Sequence, residues 1–189
     1  MRAATPDREE PAVTDAAPTD DVRWLTADQQ EHWRAFRDGT ALLLDVLARE
    51  LDCGSGLSLG EYEVLVRLSE APGRALRMSE LADDLAHSRS RLTHTVARME
   101  RAGLVRREPV PGDARGVACV LTDHGWRVLV AAAPGHVESV RRHLVDVLDD
   151  AQLAALGTAM QVVVHHLRTP ACERARDQGD VSDVTAASA

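Results

Sequence analysis

Apolar residues recur every three or four positions over most of the central chain, a spacing typical of amphipathic helices. The first such stripe begins at a capping box, Thr26–Gln29, and ends at the glycine-containing segment 52–56. A second capping box, Ser58–Glu61, opens a helix through Leu68. The pattern therefore predicts one long helix and then a shorter one. The stripe of the long helix comprises Trp33, Phe36, Thr40, Leu43, Leu47 and Leu51.

Two further helices are predicted towards the C-terminus. Thr122 caps the first of them and Asp149 caps the second. Pro134 lies inside the first pattern, where we expect a kink and not a break. The first helix and these last two carry more apolar surface than a small domain can cover, so we expect them to pack against a second copy of the chain. The seam of the penultimate helix comprises Trp126, Val130, Ala133, Val137, Val140, Leu144 and Val147.

The stretch between these long helices predicts a helix-turn-helix. Ser79–Leu85 has helical spacing, His87 and Ser88 interrupt it, and a second short helix runs from about Arg89 to Ala102. Gly103 follows in a position suited to a left-handed cap.

A change from helical to extended period follows this motif. Residues 104–110 and 117–121 are β-prone runs, residues 111–116 are rich in turn formers, and 75–78 is extended enough to add a third strand. A hairpin beside a helix-turn-helix is a wing. The predicted fold class is therefore mainly α (α+β), a winged helix-turn-helix domain with long dimerisation helices from both chain ends.

The second short helix has one apolar face and one cationic face. Leu92, Val96 and Met99 point to the core, whereas the opposite side is polar and has few acidic residues. Such a helix fits a major groove, and an arginine at the wing, Arg115, can enter the neighbouring minor groove. These features predict a reader of duplex DNA. The candidate DNA-contacting residues are Ser88, Arg89, Ser90, Arg91, Thr93, His94, Arg98, Arg106, Arg107 and Arg115.

The outward residues of this helix have two alternative roles. The candidates for base-edge contacts are Ser90, Arg91, His94 and Arg98. An arginine bound to guanine would be the most specific of these contacts. The alternative is that Arg91 and Arg98 contact phosphates alone.

The hairpin residues are expected to divide their roles. Asp113 supports the wing by pairing with Arg115 or another nearby arginine, because phosphate repels a carboxylate. Arg106 and Arg107 alternate sides of their strand, so we expect only one of them to face the duplex.

An ordered set of short motifs resembles the MarR family of bacterial transcriptional regulators, with matching spacing from about Trp24 to Leu167. What the resemblance implies is a dimeric winged-helix protein that binds a pseudo-palindromic operator and responds to a small ligand or an oxidant. It also supports a minor-groove role for Arg115. The motifs are Ser79–Ala82, Ser88–Thr93, Met99–Val105, Asp113–Gly116 and Leu121–Gly125.

Charge is unevenly distributed along the 189 residues. The formal net charge of −8 argues against a nucleic-acid binder, but residues 74–116 hold nine arginines against six acidic residues, a local +3. We therefore expect modest, salt-dependent affinity for non-specific DNA. The N-terminus lacks the apolar segment of a secretory signal, and no apolar run approaches the ~20 residues of a membrane span. The expected setting is the cytoplasm, with the three cysteines as thiols.

A small-molecule effector is expected in the cleft between the dimerisation helices and the winged helix, as the resemblance implies. The residues that would line it are His32, Trp33, Phe36, Tyr62 and Trp126. The alternative is that these aromatic side chains are ordinary core.

Other chemistry has weaker support. Thiol-based redox control would use Cys53, although Asp52 beside it would raise the pKa of that thiol. His136 and His143 are seven residues apart on one helical face, which permits a shared metal site, but solvated histidines are the preferred interpretation and no metal or cofactor is predicted.

No nucleophile with a base, carboxylate pair or phosphate loop points to an enzyme. The expected domain organisation is a disordered acidic tail (1–22), a first dimerisation helix (23–57), the winged helix-turn-helix (58–122), C-terminal dimerisation helices (123–169) and a second disordered tail (170–189). The function expected from these features is a homodimeric DNA-binding regulator, a repressor released by an effector, acting on an inverted-repeat operator. A redox-sensing regulator of the same fold and a winged-helix protein adaptor are the alternatives.

Overall fold

The protein is mostly helical with one small sheet. A computed structural model describes residues 22–86 and 88–169, with the backbone alone at 114 and 115. The fold class predicted from the sequence, a mainly helical winged-helix protein, is confirmed. The elements are α1 (Ala27–Ser55), α2 (Leu59–Glu70), β1 (Ala75–Arg77), α3 (Met78–Asp84), α4 (Arg89–Arg101), β2 (Val105–Val110), β3 (Asp113–Leu121), α5 (Asp123–Val140) and α6 (Asp150–Arg168).

The chain divides after Thr40 into two compact units, so α1 contributes to both. In the first unit the rings of Trp33 and Phe36 lie 6.0 Å apart and both are exposed. The second unit holds every element from α2 onwards. The domain boundaries expected from the sequence remain predictions, and nearly all of both tails lies outside the described residues.

Side-chain caps fix where the helices begin. The Ser58 hydroxyl accepts from the Glu61 N–H while the Glu61 carboxylate accepts from the Ser58 N–H, which completes the predicted capping box of α2. Thr26 and Gln29 make the same reciprocal pair at α1. Thr122 and Asp149 cap α5 and α6, as predicted.

The core of the second unit lies between α2, α4 and the sheet. Leu65 and Leu68 of α2 are fully buried, and so are Leu92, Val96 and Met99 of α4. The predicted inward face of the second short helix is therefore confirmed. Because this face is locked into the core, the opposite face of α4 must be the one that meets solvent.

The sheet has strand order β1-β3-β2 and is antiparallel throughout, with the predicted third strand at its edge. The connection between β2 and β3 is only Pro111–Gly112, shorter than the predicted turn of 111–116. The reason is that Asp113 pairs with Val110 after a register irregularity at Pro109, so β3 begins four residues early.

The start of α5 is docked on the end of α4. The Thr122 hydroxyl donates to the Leu104 carbonyl oxygen at 3.0 Å and accepts from the Gly125 N–H at 2.9 Å. A Cβ on Gly125 would lie 2.1 Å from the Leu104 carbonyl oxygen, so this close approach requires glycine. Gly103 itself has φ +71°, the left-handed cap expected after the second short helix, α4.

The C-terminal helices bury little of their apolar surface within one chain. Helix α5 continues through Pro134 without a break, but it does not run on to Val147 as expected: Arg141–Val145 is π-helical, with the Asp146 N–H donating to the Arg141 carbonyl oxygen at 2.8 Å. Val130 and Val137 of the predicted seam are 50% and 55% exposed. No residue of α6 is buried.

Among the described residues, no one helix is both long and apolar enough to cross a membrane. Only the α5 region and α6 taken together meet that length and composition, and the chain bends by 102° between them.

Candidate nucleic-acid interface

Helix α4 presents a continuous polar face to solvent. Its N-terminus is capped by Ser88, whose hydroxyl accepts from the Arg91 N–H at 3.3 Å, and Arg89, Ser90 and Arg91 of the first turn are exposed. Among the described residues, the Arg89 and Arg91 side chains have no ion-pair partner, so both guanidinium groups are available. The exposed residues of this face include Ser88, Arg89, Ser90, Arg91, Thr93, His94 and Arg98.

A cleft of about 440 Å³ separates this face from the wing. Arg89 and Thr93 line it from α4, Arg107 lines it from β2, and Arg77 lines it from the end of β1. Of the two β2 arginines, Arg107 lines the cleft and Arg106 does not, and which of them faces a duplex remains a prediction. Three guanidinium groups and one carboxylate, that of Asp113, line this cleft, so the excess of positive charge favours an anionic ligand.

Both β2 arginines are paired with glutamates. Arg107 binds Glu100 at the end of α4, with Nη2 2.6 Å from Oε2 and its backbone N–H 3.1 Å from Oε1. This hydrogen bonding holds the pKa of the Glu100 carboxyl below its usual range. Arg106 binds Glu108 on its own strand at 2.5 Å. The Arg107 pair therefore ties the recognition helix to the wing.

The Arg98 side chain makes a contact within the protein that the sequence did not predict. Its Nε lies 2.7 Å from Glu61 Oε1, and its Nη2 lies 3.3 Å from the Ser58 hydroxyl. The side chain is 56% exposed, but its guanidinium is directed to the N-terminus of α2. The physical reason is that the buried face of α4 brings its last turns against α2, where an acidic cap is within reach. In this arrangement the Arg98 guanidinium makes a contact within the protein, and its contact with a base edge remains a prediction.

Asp113 pairs with Arg77, whose Nη1 lies 2.6 Å from Asp113 Oδ2. The sequence pattern suggested Arg115 or a nearby arginine, and Arg77 was missed because it lies 36 residues earlier in the chain. Arg115 belongs to β3, and its backbone alone is described. The entry of the Arg115 side chain into a minor groove remains a prediction.

A second cleft, of about 410 Å³, is lined by the Tyr62 and His136 side chains. Their rings lie 4.5 Å apart, and His136 Nδ1 is buried without a hydrogen-bond partner among the described residues. Burial lowers the pKa of His136, so the ring is neutral at pH 7. The remaining lining is mostly aliphatic, with Leu44, Leu47, Leu59, Val66 and Leu85 beside Glu63, Arg67 and Asp84.

The aromatic residues expected around one effector have different surroundings. Tyr62 lines the second cleft, whereas the Trp126 ring is covered by the Arg74 guanidinium, 4.3 Å from its centroid. His32, Trp33 and Phe36 belong to the first unit, and their role stays a prediction. The sequence pattern indicated a metal ligand or a solvated histidine at His136 and missed it as a lining residue, because packing is what brings it to Tyr62.

A model of the MarR family matches residues 55–116 of this chain. The solved structure of Sco3205, a MarR family transcriptional regulator from Streptomyces coelicolor in complex with DNA, is 45% identical, covers 80% of this chain and 94% of its own, and has a TM-score of 0.76. This chain belongs to the MarR family. AbsC, another member from Streptomyces coelicolor, is 44% identical with a TM-score of 0.73, over 78% of this chain and 99% of AbsC.

The family consists of transcriptional regulators, and this MarR-family protein is accordingly not an enzyme. The HTH-type transcriptional regulator PecS of Dickeya dadantii (strain 3937) is 34% identical over 103 residues, which span 53% of this chain. The match covers 61% of PecS, less than two thirds of that curated relative.

The described cysteines of this MarR-family protein differ in accessibility. Cys53 is exposed in the last turn of α1, whereas Cys119 is fully buried in β3. Burial raises the pKa of Cys119 to about 12, so this thiol is not reactive at neutral pH. Cys172 lies outside the described residues. The two histidines considered for a metal make other contacts, His136 with Tyr62 and His143 with Glu50.

Proposed function

We propose that this MarR-family protein is a repressor that binds duplex DNA as a homodimer, with α4 in the major groove and the wing at the adjacent minor groove. The observation that carries the proposal is the exposed face of α4, where Arg89 and Arg91 have no ion-pair partner in the part of the chain that the structure describes, while the opposite face is locked into the core. The 45% identity to Sco3205, solved with DNA, supports it.

The homodimer is supported by apolar surface that one chain leaves uncovered. Leu42 of α1 is 70% exposed, and Val162 and Leu167 of α6 are 66% and 71% exposed. Helix faces of this kind are stable in water when a second helix covers them. A two-fold axis through these helices would set two copies of α4 about 34 Å apart, which requires an inverted-repeat operator.

An effector is proposed for the Tyr62–His136 cleft. The cleft lies between residues of α1 and α5 on one side and residues of α2 and the end of α3 on the other. A flat, largely apolar molecule with one polar group would pack on the Tyr62 ring and satisfy His136 Nδ1. Such a ligand releases DNA if it binds one spacing of the two α4 helices better than the other.

The test is selection of binding duplexes from a random pool, followed by fluorescence anisotropy at two salt concentrations. We expect a selected consensus with two inverted half-sites about ten base pairs apart, and binding that weakens steeply with salt. Arg91→Ala should lose at least about ten-fold in affinity. The matched control is Arg49→Ala, an exposed α1 arginine paired only with Asp45 in the described chain.

The same DNA-binding assay distinguishes this proposal from the two alternatives, a protein adaptor and a redox-sensing regulator. Binding that is insensitive to salt and to Arg91→Ala would overturn the DNA-reading model and favour a protein adaptor. Loss of operator binding on treatment with peroxide, prevented by Cys53→Ser, would identify the redox-sensing regulator in place of the effector-released repressor.

A further inference from the structure

We propose that Glu61, an acidic residue of α2, is required for sequence-specific DNA binding because it holds Arg98 and thereby sets the position of the recognition helix α4. This inference rests on the proposed operator binding. Two roles of Glu61 predict opposite effects on operator affinity. If Glu61 acted only as a negative charge, it would repel DNA and lower the affinity, whereas as a positioning residue it raises the affinity for the operator.

The geometry joins three side chains of two helices. Glu61 Oε1 accepts from Arg98 Nε at 2.7 Å, while Oε2 accepts from the Ser58 hydroxyl at 2.7 Å and from the Ser58 N–H at 3.0 Å. The Ser58 hydroxyl in turn lies 3.3 Å from Arg98 Nη2. The arginine thus contacts both members of the capping box, and the N-terminus of α2 and the last turns of α4 form one hydrogen-bonded unit.

The Glu61 carboxylate is well suited to a fixed contact. Its side chain is 11% exposed, and it lies in the first turn of α2, where the helix dipole favours negative charge. Burial alone would raise its pKa, but the hydrogen bonds from Ser58 and Arg98 outweigh burial and hold the pKa below its usual range. The carboxylate is therefore ionised at neutral pH, and both oxygens are occupied.

Arg98 has an informative counterpart on its own helix. Arg91 precedes it by seven residues, so the two side chains leave the same face of α4 about two turns apart. Arg91 has no ion-pair partner among the described residues, whereas Arg98 is bound to Glu61. The same residue type therefore has two uses on one helix: Arg91 is available to DNA, and Arg98 anchors the end of the helix that carries it.

Among the described residues, side-chain packing is otherwise what connects the last turns of α4 to α2, so the tilt of α4 depends on this anchor. Contacts with bases require side-chain positions accurate to about 0.5 Å. A small rotation of α4 about its buried seam would displace Ser90, Arg91 and His94 together. Loss of the anchor should therefore reduce discrimination between sequences more than it reduces attraction to the phosphate backbone.

The experiment measures, for each variant, affinity for the selected duplex and for a scrambled duplex of equal length over a range of salt concentrations. Glu61→Gln should lower the ratio of the two affinities by about five-fold or more, while affinity for the scrambled duplex is unchanged or slightly higher. Arg98→Gln should lower the ratio similarly without changing the salt dependence of binding, and the double variant should be no worse than either single variant.

Arg91→Gln is the matched control on the same face. It should weaken binding to the selected duplex and, if Arg91 contacts a phosphate, decrease the salt slope by about one. The charge-reversed pair Glu61→Arg with Arg98→Glu should recover part of the lost ratio, which a purely destabilising substitution would not permit. Urea unfolding of every variant establishes that each is folded at the assay temperature.

Two results would overturn the inference. One is a Glu61→Gln protein that binds both duplexes more tightly with an unchanged ratio, since the carboxylate would then act only as a repulsive charge. The other is a lower salt slope for Arg98→Gln with no effect of Glu61→Gln, since Arg98 would then contact phosphate directly. If the wild-type protein itself fails to prefer the selected duplex, the operator model fails first, which is a separate outcome from these two.

Discussion

Arg77 Nη1 lies 2.6 Å from Asp113 Oδ2, and this ion pair joins the end of β1 to the tip of the wing. Strand β1 is only three residues long, and its last backbone partner on β3 is Ala118, well short of the tip. The ion pair therefore extends the contact between the two strands beyond their backbone hydrogen bonds. Gly116 accommodates it, because a Cβ there would lie 2.6 Å from Asp113 Oδ2.

Replacing Asp113 should loosen the wing without unfolding the protein. Both side chains of the Arg77 pair are partly exposed, so the pair contributes only about 0.2–1 kcal/mol. Asp113→Ala should therefore speed hydrogen exchange of the wing amides by up to about five-fold, with little change in overall stability. Asp45→Ala, which removes an exposed pair on α1, is the control and should leave wing exchange unchanged.

Adding one methyl group at Gly125 should strongly destabilise the protein. The new Cβ would lie 2.1 Å from the Leu104 carbonyl oxygen, which is backbone and cannot move aside cheaply. We expect Gly125→Ala to lower the free energy of unfolding by about 2–4 kcal/mol, measured by urea denaturation. Gly39→Ala in α1, where nothing lies within 4 Å, should instead raise it by roughly 0.5–1 kcal/mol. Equal effects at the two positions would contradict this.

Ala86 should tolerate glycine better than other alanines do. Its φ of +50° is in the left-handed region, which costs a residue with a Cβ about 1 kcal/mol. Ala86→Gly removes this strain but adds conformational entropy to the unfolded chain. The free energy of unfolding should therefore rise by about 0.5 kcal/mol or stay nearly unchanged. In the middle of α4, Ala97→Gly should cost about 1 kcal/mol. Thermal unfolding of the two variants measures this difference in stability. A comparable loss of stability in both variants would refute the prediction.

Acid should weaken a contact between α1 and the C-terminal helical region. Glu50 accepts from the Ser139 hydroxyl at 2.6 Å and lies 2.9 Å from His143 Nε2. These hydrogen bonds hold the pKa of Glu50 below its ordinary value of 4.5, and the bond from Ser139 makes the largest contribution. A lowered carboxyl pKa in the folded state stabilises the protein above pH 4.5, and this contribution is lost as the pH falls through the folded value.

The variant Ser139→Ala tests this pH dependence. It removes the largest cause of the shift and leaves the carboxylate in place, so stability should fall less steeply between about pH 5 and pH 3 than in the wild-type protein. Glu50→Gln should flatten the same region further. Urea midpoints at several pH values provide the measurement. Parallel curves for all three proteins would contradict the assignment.

The sequence alone determined the type and order of the helices and strands and the inward face of α4, but not where β3 begins or where α5 ends. The capping box of Ser58 with Glu61 and the burial of Leu92, Val96 and Met99 follow from side chains within a few residues of one another, which interact on the same helix whatever surrounds them. For the same reason the outward, cationic face of α4 was recognisable before any packing was known.

Only the tertiary structure decided which partner each long polar side chain meets. The Arg98–Glu61 and Arg77–Asp113 pairs span 37 and 36 residues, and the Glu50–His143 contact spans 93. The periodicity placed Arg98 on the outward face correctly, but an arginine side chain is long enough to reach a neighbouring helix. The partner that the Arg98 guanidinium reaches depends on which element packs beside α4. The spacing of residues along the sequence does not show which element that is.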